Sequence, residues 1–199
     1  MSKNAHEKSL QSGENMNVYD AIISRKSIRS YDTKPLKEEE LSKILEAGRL
    51  APSWQNKQCW QYVVVKDKDT IGKLALRSGL ISKSNFFIKN APVVIVACAN
   101  PNDSGHLNGQ DYYLVDVAIS FQQMMLAAWE MGIGSCWLGA FNDKKVQEIL
   151  GIPDKIKVVA LSPFGYPKDK DSLYAKAIKT FAGSKKRKGL EKIVHWEKW

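Results

Sequence analysis

Between Asp111 and Glu130 the chain writes one long helix whose apolar residues leave almost no polar side. Leu114, Val117, Ala118, Phe121, Met124, Met125, Ala128 and Met131 recur at helical spacing, and Val115, Ile119 and Leu126 fill the flanks. A helix apolar on most of its circumference has to be buried on most of it. No other segment constrains the fold as much. A chain of 199 residues has limited core with which to surround such a helix. A second subunit is therefore expected to cover part of it, and the expectation is a homodimer.

The remaining elements follow from periodicity and punctuation. Asn17 suits the N-cap of a short helix with Val18, Ala21, Ile22 and Ile23 as its apolar side. A helix is expected from Lys37 to Leu50, with Glu38, Glu39 and Glu40 in its first turn and Leu41, Ile44, Leu45 and Gly48 facing inward. Residues 60–66 read as a strand, Asp67 caps a helix over 69–78, and a second helical piece covers 82–89. Val93–Ala99 is apolar without alternation, as a strand buried on both faces would be. Residues 100–110 are turn formers and read as a surface loop. After the long helix come a strand or strand edge over 135–141, a helix from Asn142 to Leu150 closed by Gly151, and a strand over 156–162. Two helices precede any strand, so the pattern indicates an α+β fold, a three-layer sandwich, and not a doubly wound sheet. Residues 1–16 are polar throughout, without the apolar stretch of a secretory signal, and read as a leader outside the domain. The domain itself spans 17–199.

Composition excludes several classes. The longest uncharged apolar run, Ala91–Ala99, is far short of the roughly 20 residues that cross a bilayer, so no membrane association is expected. Cys59, Cys98 and Cys136 are far apart and form no CxxC, which argues for buried free thiols and a cytoplasmic location. His6, His106 and His195 are isolated and make no paired metal spacing, so no metal is expected. There is no GxSxG elbow and no P-loop. Gly132-Ile133-Gly134 opens like a dinucleotide fingerprint, but its third glycine falls at Trp137. The glycines also follow a helix, where that fingerprint needs a strand first.

Three clusters carry the remaining chemistry. The first is basic. The net charge is +9, and residues 168–199 hold ten Lys or Arg against four acids. Arg25, Ser27 and Arg29 alternate, so an extended segment points them one way, and Lys185 and Arg187 repeat the pattern near the other end. Guanidinium forks and a hydroxyl suit a phosphate. The same groups also read as a helix C-terminal complement and a solvated charge run. The second cluster, Pro52 to Gln58, is rich in amides and hydroxyls that suit a heteroaromatic edge, or simply water. The third is Trp137 to Ala140, where Gly139 lets the backbone approach a planar ligand or merely forms a bulge.

Taken together and in order, these segments resemble the FMN-dependent nitroreductase family. The resemblance runs from Tyr19-Asp20-Ala21-Ile22 and Arg25-Lys26-Ser27-Ile28-Arg29-Ser30-Tyr31 through Ala51-Pro52-Ser53, Asn56, Gln58 and Trp60. It returns at Asp116, at Gly132 to Phe141, and at Pro163 to Pro167, and it ends with Lys185 to Lys188. It covers residues 17–197. The family implies a central mixed, mostly antiparallel sheet flanked by helices and a C-terminal tail exchanged with a partner subunit. Arg25, Lys26, Ser27 and Arg29 would hold the phosphate and ribityl chain of FMN, with Lys185 and Arg187 closing on the same phosphate. Pro52, Ser53 and Asn56 would line the flavin of the partner subunit. Leu138, Gly139 and Ala140 would run along the ring, with the Gly139 amide near N5.

The implied activity is ping-pong transfer of electron pairs from NADH or NADPH to a nitroaromatic, a quinone or a similar small acceptor. Two other readings lead elsewhere: a flavin-storage protein without turnover, and a basic module for nucleic acid, which the tail's lack of interleaved aromatics disfavours. Cys59 departs from the family, which commonly has proline there. Trp54 is large for its place, either narrowing a channel or simply packing.

Overall fold

The computed structural model describes residues 16–79, 85–168 and 187–199. Residues 1–15 of the leader expected over 1–16 and most of the basic tail, including Lys185, lie outside the described residues, while Met16 packs against the core. Five helices are described, α1 (Val18–Ser24), α2 (Glu38–Arg49), α3 (Lys68–Arg77), α4 (Tyr112–Glu130) and α5 (Asp143–Leu150). The strands are β1 (Trp60–Val65), β2 (Val93–Ala99), β3 (His106–Leu107), β4 (Gln110–Asp111), β5 (Gly134–Ser135) and β6 (Lys157–Gly165).

A four-stranded sheet of order β1-β2-β6-β5, antiparallel at every pair, forms the middle layer. The only parallel pairing among the described residues is the Ser27–Ser135 bridge. Strand β2 is buried along its whole length. Its Val93, Ile95, Ala97 and Ala99 pack with α2 and α4, while Val94, Val96 and Cys98 join α3 and α5 on the opposite face. The uninterrupted apolar run is explained by two covered faces, and the three-layer α+β reading holds.

Helix boundaries follow local chemistry. Asn17, Asp67 and Asn142 accept from the N–H three residues on, at 2.9, 2.8 and 3.0 Å. Glu40 reaches back to the Lys37 N–H at 2.8 Å. Gly151 ends α5 in the left-handed conformation.

Four expectations need correction. The helix expected over 82–89 is a 3₁₀ helix at Phe86–Asn90, with 80–84 outside the described residues. The expected strand 135–141 stops at Ser135, whereas β6 runs on through Pro163 to Gly165. Pro163 has no N–H with which to extend the ladder toward β5, and the Cys136 N–H turns instead to Ser162 Oγ at 3.1 Å. The loop 100–110 is built, with a 3₁₀ turn at Pro101–Asp103 and the hairpin β3–β4. Asn108 and Gly109 turn that hairpin with positive φ, the Asn-Gly signal of a type I′ turn, which was present in the sequence and passed over. Finally, the apolar side of α1 is not buried: Val18, Ile22 and Ile23 are exposed and only Ala21 enters the core.

Helix α4 divides in the same way. Val117, Phe121, Met124, Met125, Ala128 and Trp129 are buried, while Leu114, Val115 and Ile119 face outward from the protomer. No described helix is long and apolar enough to cross a membrane.

Candidate functional site

The basic segment after α1 runs extended along the sheet edge, bonded through the Ile28 N–H to Ser135 O at 2.9 Å. This close approach explains Gly134, where a Cβ would stand 2.5 Å from Ile28 Cγ1. Alternation then sorts the side chains. Ile28 is buried in the core and Lys26 is exposed, while Arg25, Ser27 and Arg29 are half-buried.

These three converge on Cys136. The Ser27 hydroxyl is hydrogen-bonded to its thiol, and the positive charges of Arg29 and Arg25 favour the thiolate. Burial outweighs them and pushes the Cys136 pKa up. The Arg25 pKa is lowered, first by burial and then by the charge of Arg187. Residues 162 positions apart in sequence therefore meet. Asp32 N donates to Tyr166 O and Lys168 N to Ser30 O, at 2.9 and 3.0 Å, which brings the start of the basic tail beside the Arg25–Tyr31 segment. Arg29 Nη1 is buried and has no hydrogen-bond partner among the described residues. An unpaired guanidinium nitrogen of this kind costs about 1–3 kcal/mol, and bringing two like charges together adds to that. A doubly charged anion with several acceptor oxygens offsets both, so the residues fit a phosphate.

Beside this cradle, Leu138 pairs with Leu161 through both backbone bonds, and Gly139 and Ala140 are exposed. A Cβ at Gly139 would meet only Trp137 Nε1, at 3.7 Å, so nothing inside the protomer demands a glycine there. Ala140 O accepts from Asn85 Nδ2 at 3.3 Å.

The second cluster is held from elsewhere. Pro52 and Asn56 are exposed and Ser53 is half-buried, its Oγ accepting the Gln58 N–H at 2.9 Å. Gln55, Asn56 and Gln58 all have positive φ, at 48°, 56° and 50°. Left-handed backbone at non-glycine residues costs about 1 kcal/mol each, so something must over-determine this loop. Asp116, which sequence reading noted without giving it a role, is that something. One carboxylate oxygen accepts the Trp54 N–H at 2.8 Å, and the other accepts the Ser104 hydroxyl at 2.7 Å and the Cys59 thiol at 3.5 Å. Burial and the Asp116 charge push the Cys59 thiol up to about 11. The departure at Cys59 thus adds a fastener to the loop. Trp54 packs on Tyr112 with ring centroids 4.1 Å apart.

Two anchors on α4 separate the clusters. Asp116 holds the Ser53–Asn56 loop near the helix start, while Trp129, thirteen residues on, donates its Nε1 to Ser24 Oγ beside Arg25 at 2.9 Å. At 1.5 Å per residue that separation is about 20 Å. The protomer unites Arg25, Ser27, Arg29, Arg187 and the 136–140 stretch, but leaves Pro52, Ser53 and Asn56 at the other end of the helix.

Known proteins share this frame. The sequence model of the nitroreductase family matches residues 22–79 and 80–166. An Archaeoglobus fulgidus protein, provisionally named an NADH dehydrogenase/NAD(P)H nitroreductase, is 36% identical over 159 residues, covering 77% of this chain and 87% of its own. The crystal structure of a nitroreductase family protein from Clostridium novyi superimposes with TM-score 0.73 at 39% identity, over 78% of this chain and 89% of that one. An FMN-dependent nitroreductase from Clostridium difficile does so with TM-score 0.70 at 30% identity, over 88% and 96%. The family model covers the Arg25–Arg29 segment, the 52–58 loop and the 136–140 stretch, though not Arg187, and the chain belongs to the nitroreductase family.

Proposed function

We propose that this protein is a flavoenzyme that uses FMN to carry electron pairs from NADH or NADPH to a small acceptor such as a nitroaromatic or a quinone. The observation that carries the reading is the cationic cradle, in which Arg25 feels the charge of Arg187 and Arg29 keeps a buried nitrogen without a partner among the described residues. The Arg25, Ser27 and Arg29 side chains would bind the phosphate and ribityl end, with Lys26 at the rim. Arg187, together with Lys185, would close over it. Leu138, Gly139 and Ala140 would lie along the ring, and the Gly139 N–H would donate toward N5. FMN, once bound, supplies the centre that takes up and passes on the hydride. Donor and acceptor would reach the ring in turn past the exposed Gly139 and Ala140, the order of a ping-pong mechanism.

The Pro52, Ser53 and Asn56 loop would complete the site of a partner subunit. The separation of the two clusters along α4 supports this, as do the uncovered apolar residues Val18, Ile22, Ile23, Leu114, Val115 and Ile119. Leu190, Ile193, Trp196 and Trp199, exposed beyond Arg187, would pack on that partner as the exchanged tail. The location would be cytoplasmic, with neither nucleic acid nor membrane as a partner.

Colour tests the reading. The purified protein should be a yellow dimer by light scattering, and its absorbance near the flavin maximum should bleach when NADH or NADPH is added without oxygen. Yellow without bleaching would make it a storage protein. A colourless protein that shifts nucleic acid in a salt-sensitive way would make it a binding module.

A further inference from the structure

The Ser53–Gln58 loop and the β3–β4 hairpin are joined by more than contact. The Trp54 indole lies on Gly105 so closely that a Cβ there would stand 2.5 Å from Cε2 and 2.6 Å from Nε1. The indole also packs on Tyr112, the first residue of α4, whose N–H closes the hairpin base by donating to Gly105 O at 2.9 Å. Beneath them, buried Asp116 takes the Trp54 N–H with one oxygen and the Ser104 hydroxyl with the other. Ser104 and Gly105 enter the hairpin, and Trp54 enters the left-handed run at Gln55 and Asn56.

We propose that Gly105, Trp54 and Asp116 form a clasp that makes hairpin and loop one unit and holds Ser53 and Asn56 ready for the flavin. Gly105 and Asp116 are then positioning residues: Gly105 acts through the Trp54 indole and Asp116 through the Trp54 N–H. A loop whose left-handed turn is set in advance loses little freedom on binding, whereas a released loop must be ordered by the ligand itself. The inference rests on the proposed function for its flavin half and on the geometry alone for its mechanical half.

The test uses the full-length protein stripped of flavin and titrated with FMN, followed by flavin fluorescence. Gly105→Ala, which pushes the indole off its seat, should raise the Kd for FMN about tenfold while kcat at saturating FMN stays at the parent value. Asp116→Asn keeps an oxygen for the Trp54 N–H and an amide for Ser104, so it should bind FMN nearly as the parent does. Asp116→Ala should match or exceed the loss in Gly105→Ala. Hydrogen exchange of the flavin-free protein gives an independent readout. The Asn56, Gln58 and Tyr112 amides should exchange at a common rate in the parent and all faster in Gly105→Ala.

If the parent binds FMN and Gly105→Ala binds it equally well, the clasp does not position the loop. If the Asn56 and Tyr112 amides respond separately, the two segments are not one unit. A parent that binds no FMN but shows the coupled exchange overturns the functional reading and the flavin half, and upholds the mechanical half.

Discussion

Asp116, fully buried, and Arg29, half-buried with its Nη1 out of reach of water, lie toward opposite ends of the long helix α4 and are treated differently. The carboxylate has three donors, the Trp54 N–H, the Ser104 hydroxyl and the Cys59 thiol, all from its own chain. The guanidinium keeps a buried Nη1 without a partner among the described residues, and its neighbour Arg25 faces the like charge of Arg187. A charge that the fold satisfies is a fastener. A charge that the fold buries and leaves wanting is arranged for a ligand, because the desolvation cost is recovered only when the ligand arrives.

The largest effect belongs to the cationic side. Replacing Arg25 and Arg187 together with alanine removes two charge-assisted contacts of about 1.5–3 kcal/mol each, so FMN affinity should fall on the order of a thousandfold. Flavin retained after gel filtration measures it. The variant should remain a folded dimer, and retention at the parent level would place the phosphate elsewhere.

Next comes the satisfied side. Asp116→Ala leaves three donors without an acceptor and should lower the stability of the flavin-free protein by about 3 kcal/mol in urea unfolding. Arg29→Met is the sharpest contrast. It preserves an apolar stem and removes the unpaired nitrogen, so flavin-free stability should hold or rise by about 1 kcal/mol while flavin retention drops. If Arg29→Met destabilises as much as Asp116→Ala, the two charges are alike and the comparison breaks.

The Asp116 cluster also predicts a pH dependence. Cys59 is pushed up to about 11, so the folded state favours the neutral thiol and the unfolded chain ionises first. The stabilisation is complete below the ordinary thiol range, near 8.5, and is lost as pH rises toward 11. Cys98, raised to about 12 by burial, adds to the same slope. Unfolding midpoints should fall across this window, and less steeply in Cys59→Ala. The smallest effect is on the surface: breaking the exposed Lys66–Glu38 pair with Lys66→Ala should change stability by less than about 0.5 kcal/mol.

Much of this was legible beforehand. The caps at Asn17, Asp67 and Asn142, the doubly buried β2 and the extent of α4 could be read because each depends on residues within a few positions of one another. The alternation of Arg25, Ser27 and Arg29 was readable for the same reason. The break after Ser135 was not, because it is caused by Pro163 on a neighbouring strand 28 residues away. The exposed side of α1 could not be read either, since an apolar stripe says that it will be covered and not by what.

The amino-acid order by itself determined most of the elements, the layer they bury and the family, since periodicity, capping and turn chemistry are local and survive in the string. Tertiary structure alone decided which charges meet. Arg187 lies near enough for Arg25 to feel its charge, and Asp116 becomes a fastener only because the Trp54 loop and the Ser104 turn arrive on the same side of α4. No spacing along the chain encodes such a meeting. Coulomb and hydrogen-bond energies depend on distance and burial in space, and the chain sets those only when the layers close.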